Sequence, residues 1–462
     1  MIQAWTVQLA VDRPSDDGQA NSAGRLDDEA NRCDVRRLRR SQAVLVDFRS
    51  VAIDSEVKPA GGDGELRERF HPLHLTPLIF VLGVVVVVVR DRHRLFSPTL
   101  RSEDGPIFLK EARDEGLGSF VHTYMGYVHI LPRIVAYAFR WFPLNWEPSL
   151  YAFAAVGIGL GVNALALSPR MSPVLPQLWQ RQLVFVLLCA SPARDEVSAN
   201  IANLIFIGSL GLLLLSLSDD PRTRWGRWAE LVAVLVLGLS GPFALFMLPT
   251  FALRAWLRRS RQSIALLVLI AVCATVQWGT LLTASRTAKS TGGLSVYAEL
   301  LAHRIFAAWA IGDDRLLSAW HRAPILVGAV VVLVVVAFAA SLWLAESRLR
   351  SGALLLVLLL ACAAPSAAYW FIGSTPRAQR HLLLPLAIIT VVFVATLTSP
   401  SKWLRCLAVA ALALSLIGVV RDFQMMPLPF KPIGGVQKCL DAQQTPCLVQ
   451  SNTSQWNFTL SH

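Results

Sequence analysis

The chain has 462 residues, 54% of them hydrophobic and only 16% charged, with a formal net charge of +12. Soluble domains are about one quarter charged, and repeated apolar runs approaching 20 residues argue against a soluble globular protein and for lipid as the solvent. The excess positive charge does not indicate nucleic acid. Its arginines fall in short clusters between apolar runs, as in Arg222, Arg224 and Arg227 and again Arg254, Arg258, Arg259 and Arg261, the pattern of topology signals.

Residues 1–70 mix Asp, Arg, Gln, Ser and Gly without apolar periodicity, and are expected to form a disordered cytoplasmic extension. No apolar core follows Met1, so no signal peptide is expected. The first span is predicted at 75–90, followed by a polar stretch, 91–120, with two acidic pairs, Glu103-Asp104 and Asp114-Glu115. In 121–147 the apolar pattern is interrupted by Pro132, Arg133 and Arg140, which predicts an amphipathic segment in the membrane interface.

Spans are predicted next at 149–167, 182–192 and 198–217. The stretch 229–253 has Ser240-Gly241-Pro242 at its centre and arginines on both flanks. It predicts a helix that breaks and returns to the side it came from, with a kinked single span as the alternative. Later spans fall at 263–284, 324–344, 352–372, 381–398 and 404–420, none with a charge in its interior. The expected fold is an all-α, polytopic transmembrane helical bundle over 71–420, with about nine to eleven membrane segments and outer-face loops. An extracytoplasmic tail, 421–462, completes the chain.

With the N-terminus inside, the loops 168–181, 218–228, 254–262, 345–351 and 399–403 are cytoplasmic and nearly all basic. The localisation expected is the cytoplasmic membrane. Of the seven cysteines, five are dispersed without metal-ligand spacing, while Cys439 and Cys447 lie close together in the tail. A disulfide is expected there if the tail faces an oxidising compartment, with two free thiols as the alternative.

This orientation gathers ionisable groups on the outer side: Glu103 and Asp104; His122, Tyr124, Tyr127, His129 and Arg133; Asp195 and Glu196; His303, Arg304, Asp313 and Asp314; and Arg377, Arg380 and His381. Acids and arginines at one membrane face suit chemistry on a lipid-linked phosphate, the acid taking a proton from a hydroxyl and the arginines holding the departing phosphate. Each also has a plainer reading. Loop carboxylates are usually solvated, Asp195 suits a helix N-cap, Arg377, Arg380 and His381 suit headgroup anchors, and the tyrosines suit an interfacial belt.

The layout resembles the GT-C superfamily of membrane glycosyltransferases, which includes protein O-mannosyltransferases and the aminoarabinose transferases of lipid A. The likeness rests on Glu103-Asp104-Gly105-Pro106-Ile107-Phe108 soon after the first span, on Tyr124-Met125-Gly126-Tyr127 through Pro132-Arg133, and on Ser191-Pro192 before Asn200 and Asn203. Arg380-His381 stands where that superfamily often has Arg-Tyr. The resemblance implies transfer of a sugar from a polyprenyl-phosphate carrier to an envelope glycan or lipid acceptor. It implies Asp104, beside Glu103, as catalytic acid or metal ligand, and Arg380 as the group binding the donor phosphate. Tyr127, His129, Arg133, Glu196, Arg377 and His381 are the further substrate-binding candidates, and a divalent metal ion is left open. A transporter or flippase of envelope lipids is the alternative function.

Overall fold

The computed structural model describes residues 75–96, 99–100, 104–191, 196–284, 293–313, 316–345, 347–368, 372, 378–423, 434–442, 446–449 and 457–460. The extension 1–70 lies outside the described residues, as do Glu103, Asp195, Asp314 and Arg377.

The described chain is mostly helical. In order it forms α1 (Leu75–Leu95), α2 (Lys110–Asp114), a hairpin of β1 (Thr123–Tyr124) and β2 (Tyr127–Val128), α3 (Ile130–Phe139), α4 (Glu147–Ala164), α5 (Leu178–Cys189) and α6 (Leu204–Leu217). Then come α7 (Arg224–Gly238), α8 (Phe243–Arg258), α9 (Arg261–Thr283), α10 (Leu294–Ile311) and α11 (Leu316–Arg322). The last helices are α12 (Pro324–Trp343), α13 (Arg348–Ala368), α14 (Leu383–Thr396), α15 (Lys402–Arg421) and α16 (Gly434–Asp441), before a pairing of β3 (Cys447–Val449) with β4 (Phe458–Leu460).

Among the described residues, seven helical stretches are long and apolar enough to cross a membrane: Glu147–Leu167, Arg261–Thr283, Leu294–Ile311, Pro324–Trp343, Arg348–Ala368, Gln379–Thr396 and Lys402–Arg421. Helices α6 and α14 are apolar all round and buried on nearly every side, so they form the centre of the bundle. The surrounding helices bury only one stripe each. Their outward residues, such as Val268 on α9, Val332 and Val336 on α12 and Leu356 on α13, stay exposed. A continuous apolar perimeter of that kind has no counterpart in a water-soluble monomer and is what lipid requires. The chain is a multi-pass membrane protein.

Two polar faces bound the bundle. On one, the arginine face, Arg254 of α8 pairs with Glu230 of α7 at 3.0 Å and with Asp220 at 2.7 Å. Glu230, in the middle of α7, meets Arg254, in the last turns of α8, so the chain reverses between them, as the Gly-Pro break predicts. The reversal at Ser240-Gly241-Pro242 needs a glycine: Gly241 has φ +97°, and a Cβ there would meet Ile205 at 3.2 Å. Exposed tryptophans ring this face at helix ends, including Trp225, Trp256, Trp343 and Trp403, and Trp141 and Trp146 mark the other face.

The other, loop-rich face carries the ends of α1 and α5, the hairpin, α3 and the start of α14. Segment 121–147 stays on it: α3 has only 10 residues, about 15 Å of helix, and the hairpin joins the α7–α8 reversal through Gly241 N–H to Val128 O at 2.9 Å. Helix α10 is set into the bundle: Tyr297 donates to Leu359 O in the middle of α13 at 3.3 Å, and Trp309 to Thr390 Oγ1 of α14 at 3.1 Å. Its Arg304 pairs with Asp313 through two contacts of 2.7 and 2.9 Å and donates to Ile372 O at 2.8 Å, just beyond α13. Helix α12 then leaves from this face, bringing Phe338 against Phe393 near the far end of α14.

Helix α1 runs past the predicted first span to Leu95 and buries Arg90, Asp91 and Arg94 in its last turns. Arg90 donates to the carbonyls of Cys189 and Ser191 at 3.1 Å each, Arg94 to Ser198 O at 3.4 Å, and Asp91 accepts the Ser198 hydroxyl. The open carbonyls at the C-terminal end of α5 supply the partners that lipid cannot.

The tail packs on the loop-rich face, where Gln437 Oε1 accepts the N–H of Leu144 at 2.9 Å, and Cys439 and Cys447 form a disulfide.

Candidate functional site

The loop-rich face is built from two groups of side chains. The first starts at Asp104, which is 3% exposed. About one turn on, the ring of Phe108 lies 6.2 Å from Tyr124 and 5.9 Å from His129, and the Arg133 guanidinium sits 5.6 Å from its centroid. The hairpin that presents Tyr124 and Tyr127 turns on Met125 and Gly126, both at positive φ, 55° and 76°, the mirror-image turn that suits strand twist.

His129, at the N-terminus of α3, is held by Nδ1–H to Tyr127 O at 3.0 Å. A carbonyl only accepts, so in the neutral ring Nε2 keeps its lone pair. Burial, reinforced by the charge of Arg133 and opposed by the bond to Tyr127, lowers the His129 pKa to about 4. The ring is therefore neutral at pH 7, a hydrogen-bond acceptor rather than a cation. Arg133 is fully buried and pairs with Glu111.

The second group centres on Glu196. Its carboxylate accepts the N–H groups of Ala378 at 3.2 Å and Arg380 at 3.3 Å, and lies 4.0 Å from Arg380 Nε. His381 packs edge-on against Phe206, with ring centroids 5.0 Å apart. Two alanines adopt left-handed backbone here, Ala199 at φ 54° and Ala378 at φ 60°. Each costs on the order of 1 kcal/mol, and such conformations persist only where surrounding contacts impose them.

The loop 196–203 joins the two groups. Asp104 accepts the N–H of Ala202 at 2.9 Å, while Asn203 Nδ2 donates to Glu196 O at 2.8 Å and Asn203 N–H to Asn200 Oδ1 at 3.3 Å. Asp104 and Glu196 are thus anchored on one short loop, and Glu196 orders the backbone of Arg380. Asp114, by contrast, is exposed and bonded only to Lys110, at 2.5 Å, among the described residues. Glu103 and Arg377, the remaining candidates, lie outside the described residues.

Some members of the site had no signal in the sequence. Tyr151 of α4 donates to Glu147 Oε2 at 3.3 Å and is close enough to feel the Asp104 charge. Glu147 in turn pairs with Arg113. Glu111 as the partner of Arg133, and Ser240 Oγ accepting Leu131 N–H at 2.8 Å, belong to the same class. Apart from Tyr151 and Glu147, which share one face of α4, these partners are 22 to 109 residues apart in the chain, so no local spacing announces them.

A divalent ion needs several converging ligands. Among the described residues no three His, Cys, Asp or Glu side chains converge in that way. Compared with known protein families, characterised proteins and solved structures, the chain matches none.

Proposed function

We propose that the chain is a membrane glycosyltransferase, GT-C-like in layout, that moves a sugar from a polyprenyl-phosphate carrier to an envelope glycan or lipid acceptor at the outer face of the cytoplasmic membrane. The observation that carries the reading is the joint anchoring of a buried carboxylate, Asp104, and an arginine-ordering carboxylate, Glu196, on the loop 196–203. Transfer needs a proton acceptor beside the attacking hydroxyl and positive charge beside the departing phosphate. Asp104 takes the hydroxyl proton as the new glycosidic bond forms. The bond from the anomeric carbon to the phosphate oxygen breaks, and the polyprenyl phosphate leaves with its charge against Arg380. Tyr127 and the neutral His129 supply hydrogen-bonding partners for sugar hydroxyls.

The disulfide supports the placement of this face outside the cytoplasm, because such bonds persist in oxidising compartments. The arginine-rich opposite face supports the same orientation.

Transport of an envelope lipid is the second reading, favoured by the buried charges of α1 and by the broken α7–α8 hairpin, since transporters place charges and helix breaks within the bilayer. One experiment separates the two. Purified protein in proteoliposomes is given labelled polyprenyl-phosphate pentoses and hexoses together with an envelope lipid extract. Label moving onto the extract with release of polyprenyl phosphate is the expected result. Movement of intact donor between leaflets without its consumption would overturn the proposal in favour of transport.

A further inference from the structure

We infer that the arginine face carries a second binding site, independent of the proposed chemistry, for the phosphodiester headgroup of an anionic phospholipid. A cavity of about 220 Å³ opens there between α8 and the start of α13. Its polar wall includes Arg254, Arg258 and Arg350 with one carboxylate, Asp219, and its apolar wall Leu253, Leu257 and Ala353.

The charges around it do not balance. Arg254 pairs with Glu230 and Asp220, Arg258 with Asp219 at 3.1 Å and Asp220 at 3.7 Å, and Arg170 with Glu230. Arg350 donates to the Pro173 carbonyl and has no carboxylate in ion-pair range among the described residues. Four arginines thus share three carboxylates, leaving one positive charge at the cavity. The Nε of Arg254 is a second open donor: the side chain is 1% exposed, and that nitrogen has no hydrogen-bond partner. A buried N–H without an acceptor and a guanidinium with no carboxylate at ion-pair distance both favour an anion. A phosphodiester, with one negative charge, neutralises the surplus.

The apolar wall decides between a lipid and a free ion. Leu257 is 46% exposed and Trp256, beside it, 66%, on the perimeter that faces lipid. A tryptophan at a helix end marks headgroup depth. A headgroup held by Arg350 would therefore continue into acyl chains lying along Leu253 and Leu257. A basic face is also the side on which anionic lipids concentrate.

The test uses the full chain in nanodiscs of phosphatidylcholine, alone or mixed with phosphatidylglycerol. Retained lipid is counted by native mass spectrometry, and thermal unfolding is followed in parallel. Phosphatidylglycerol should be retained over phosphatidylcholine and should raise the unfolding temperature, whereas inorganic phosphate added to phosphatidylcholine discs should not. Arg350→Gln should weaken phosphatidylglycerol retention about five-fold, the worth of one interfacial arginine, and Arg350→Lys should weaken it less. Leu253→Phe, which fills the cavity and leaves every arginine in place, should also reduce retention. Wild-type retention in both Arg350→Gln and Leu253→Phe would overturn the site. So would equal stabilisation by inorganic phosphate.

Discussion

The Asp104 carboxylate accepts the main-chain N–H of Ala202 at 2.9 Å, joining segments 98 residues apart. An asparagine at 104 keeps a carbonyl oxygen able to make that bond, so the fold survives while the base is lost. Asp104→Asn should therefore reach the membrane at normal levels and transfer sugar about 10² to 10⁴ times more slowly, the usual cost of losing a general base. Asp114→Asn, on an exposed side chain, should transfer at close to the normal rate. Near-normal transfer by both variants, measured with labelled donor, would remove Asp104 from the chemistry.

In the proposed reaction, Glu196 would act on the donor site through Arg380 rather than by touching the reacting atoms. Replacing it by alanine frees the N–H groups of Ala378 and Arg380 and releases the guanidinium 4.0 Å away. Glu196→Ala should raise the KM for the polyprenyl-phosphate sugar about ten-fold, for a loss of roughly 1.4 kcal/mol of hydrogen bonding to a charged group, with a smaller change in kcat. A fall in kcat at unchanged KM would assign Glu196 a different role.

Acid should destabilise the protein through His129. Its folded pKa of about 4 lies below the ordinary 6.5, so between those values the unfolded chain binds a proton that the folded chain refuses. The stability owed to the neutral ring is complete above pH 6.5, is lost as the pH falls towards 4, and changes no further below that. The loss reaches about 3 kcal/mol at most. Thermal unfolding in detergent at pH 7, 5.5 and 4.5 should show this decline, and His129→Gln should make it shallower. An equally steep decline in the variant would place the acid sensitivity elsewhere.

The cysteines report sidedness. Cys406, near the start of α15, is exposed at the arginine face, whereas the Cys439–Cys447 disulfide belongs to the tail on the loop-rich face. An impermeant maleimide should reach Cys406 only from the cytoplasmic side of sealed vesicles. It should reach Cys439 and Cys447 only from the other side, and only after reduction. Labelling of all three from one side would break the two-face arrangement and with it the proposed site.

Much of the architecture was legible in the chain because lipid imposes it locally. A helix in a bilayer must satisfy its own backbone and present apolar side chains outward, so hydropathy alone located six of the seven helices that are long and apolar enough to cross among the described residues. The arginine clusters marked one face, and Gly241-Pro242 marked a reversal, because only glycine accepts φ +97° against Ile205. The closeness of Cys439 and Cys447 raised their pairing as one of two outcomes. Tertiary structure decided what local pattern does not carry. Arg90, Asp91 and Arg94 are tolerated inside α1 because carbonyls and a hydroxyl about 100 residues away meet them. Leu294–Ile311 has the length and hydropathy of a span, and only the fold shows that its Arg304 is buried against Asp313 and the Ile372 carbonyl. Asp104 and Asp114 look alike as acidic loop residues, and only packing buried the first against Ala202 and left the second with Lys110 in solvent. Hydropathy is a property of one segment, whereas the environment of a carboxylate depends on which distant segments fold over it.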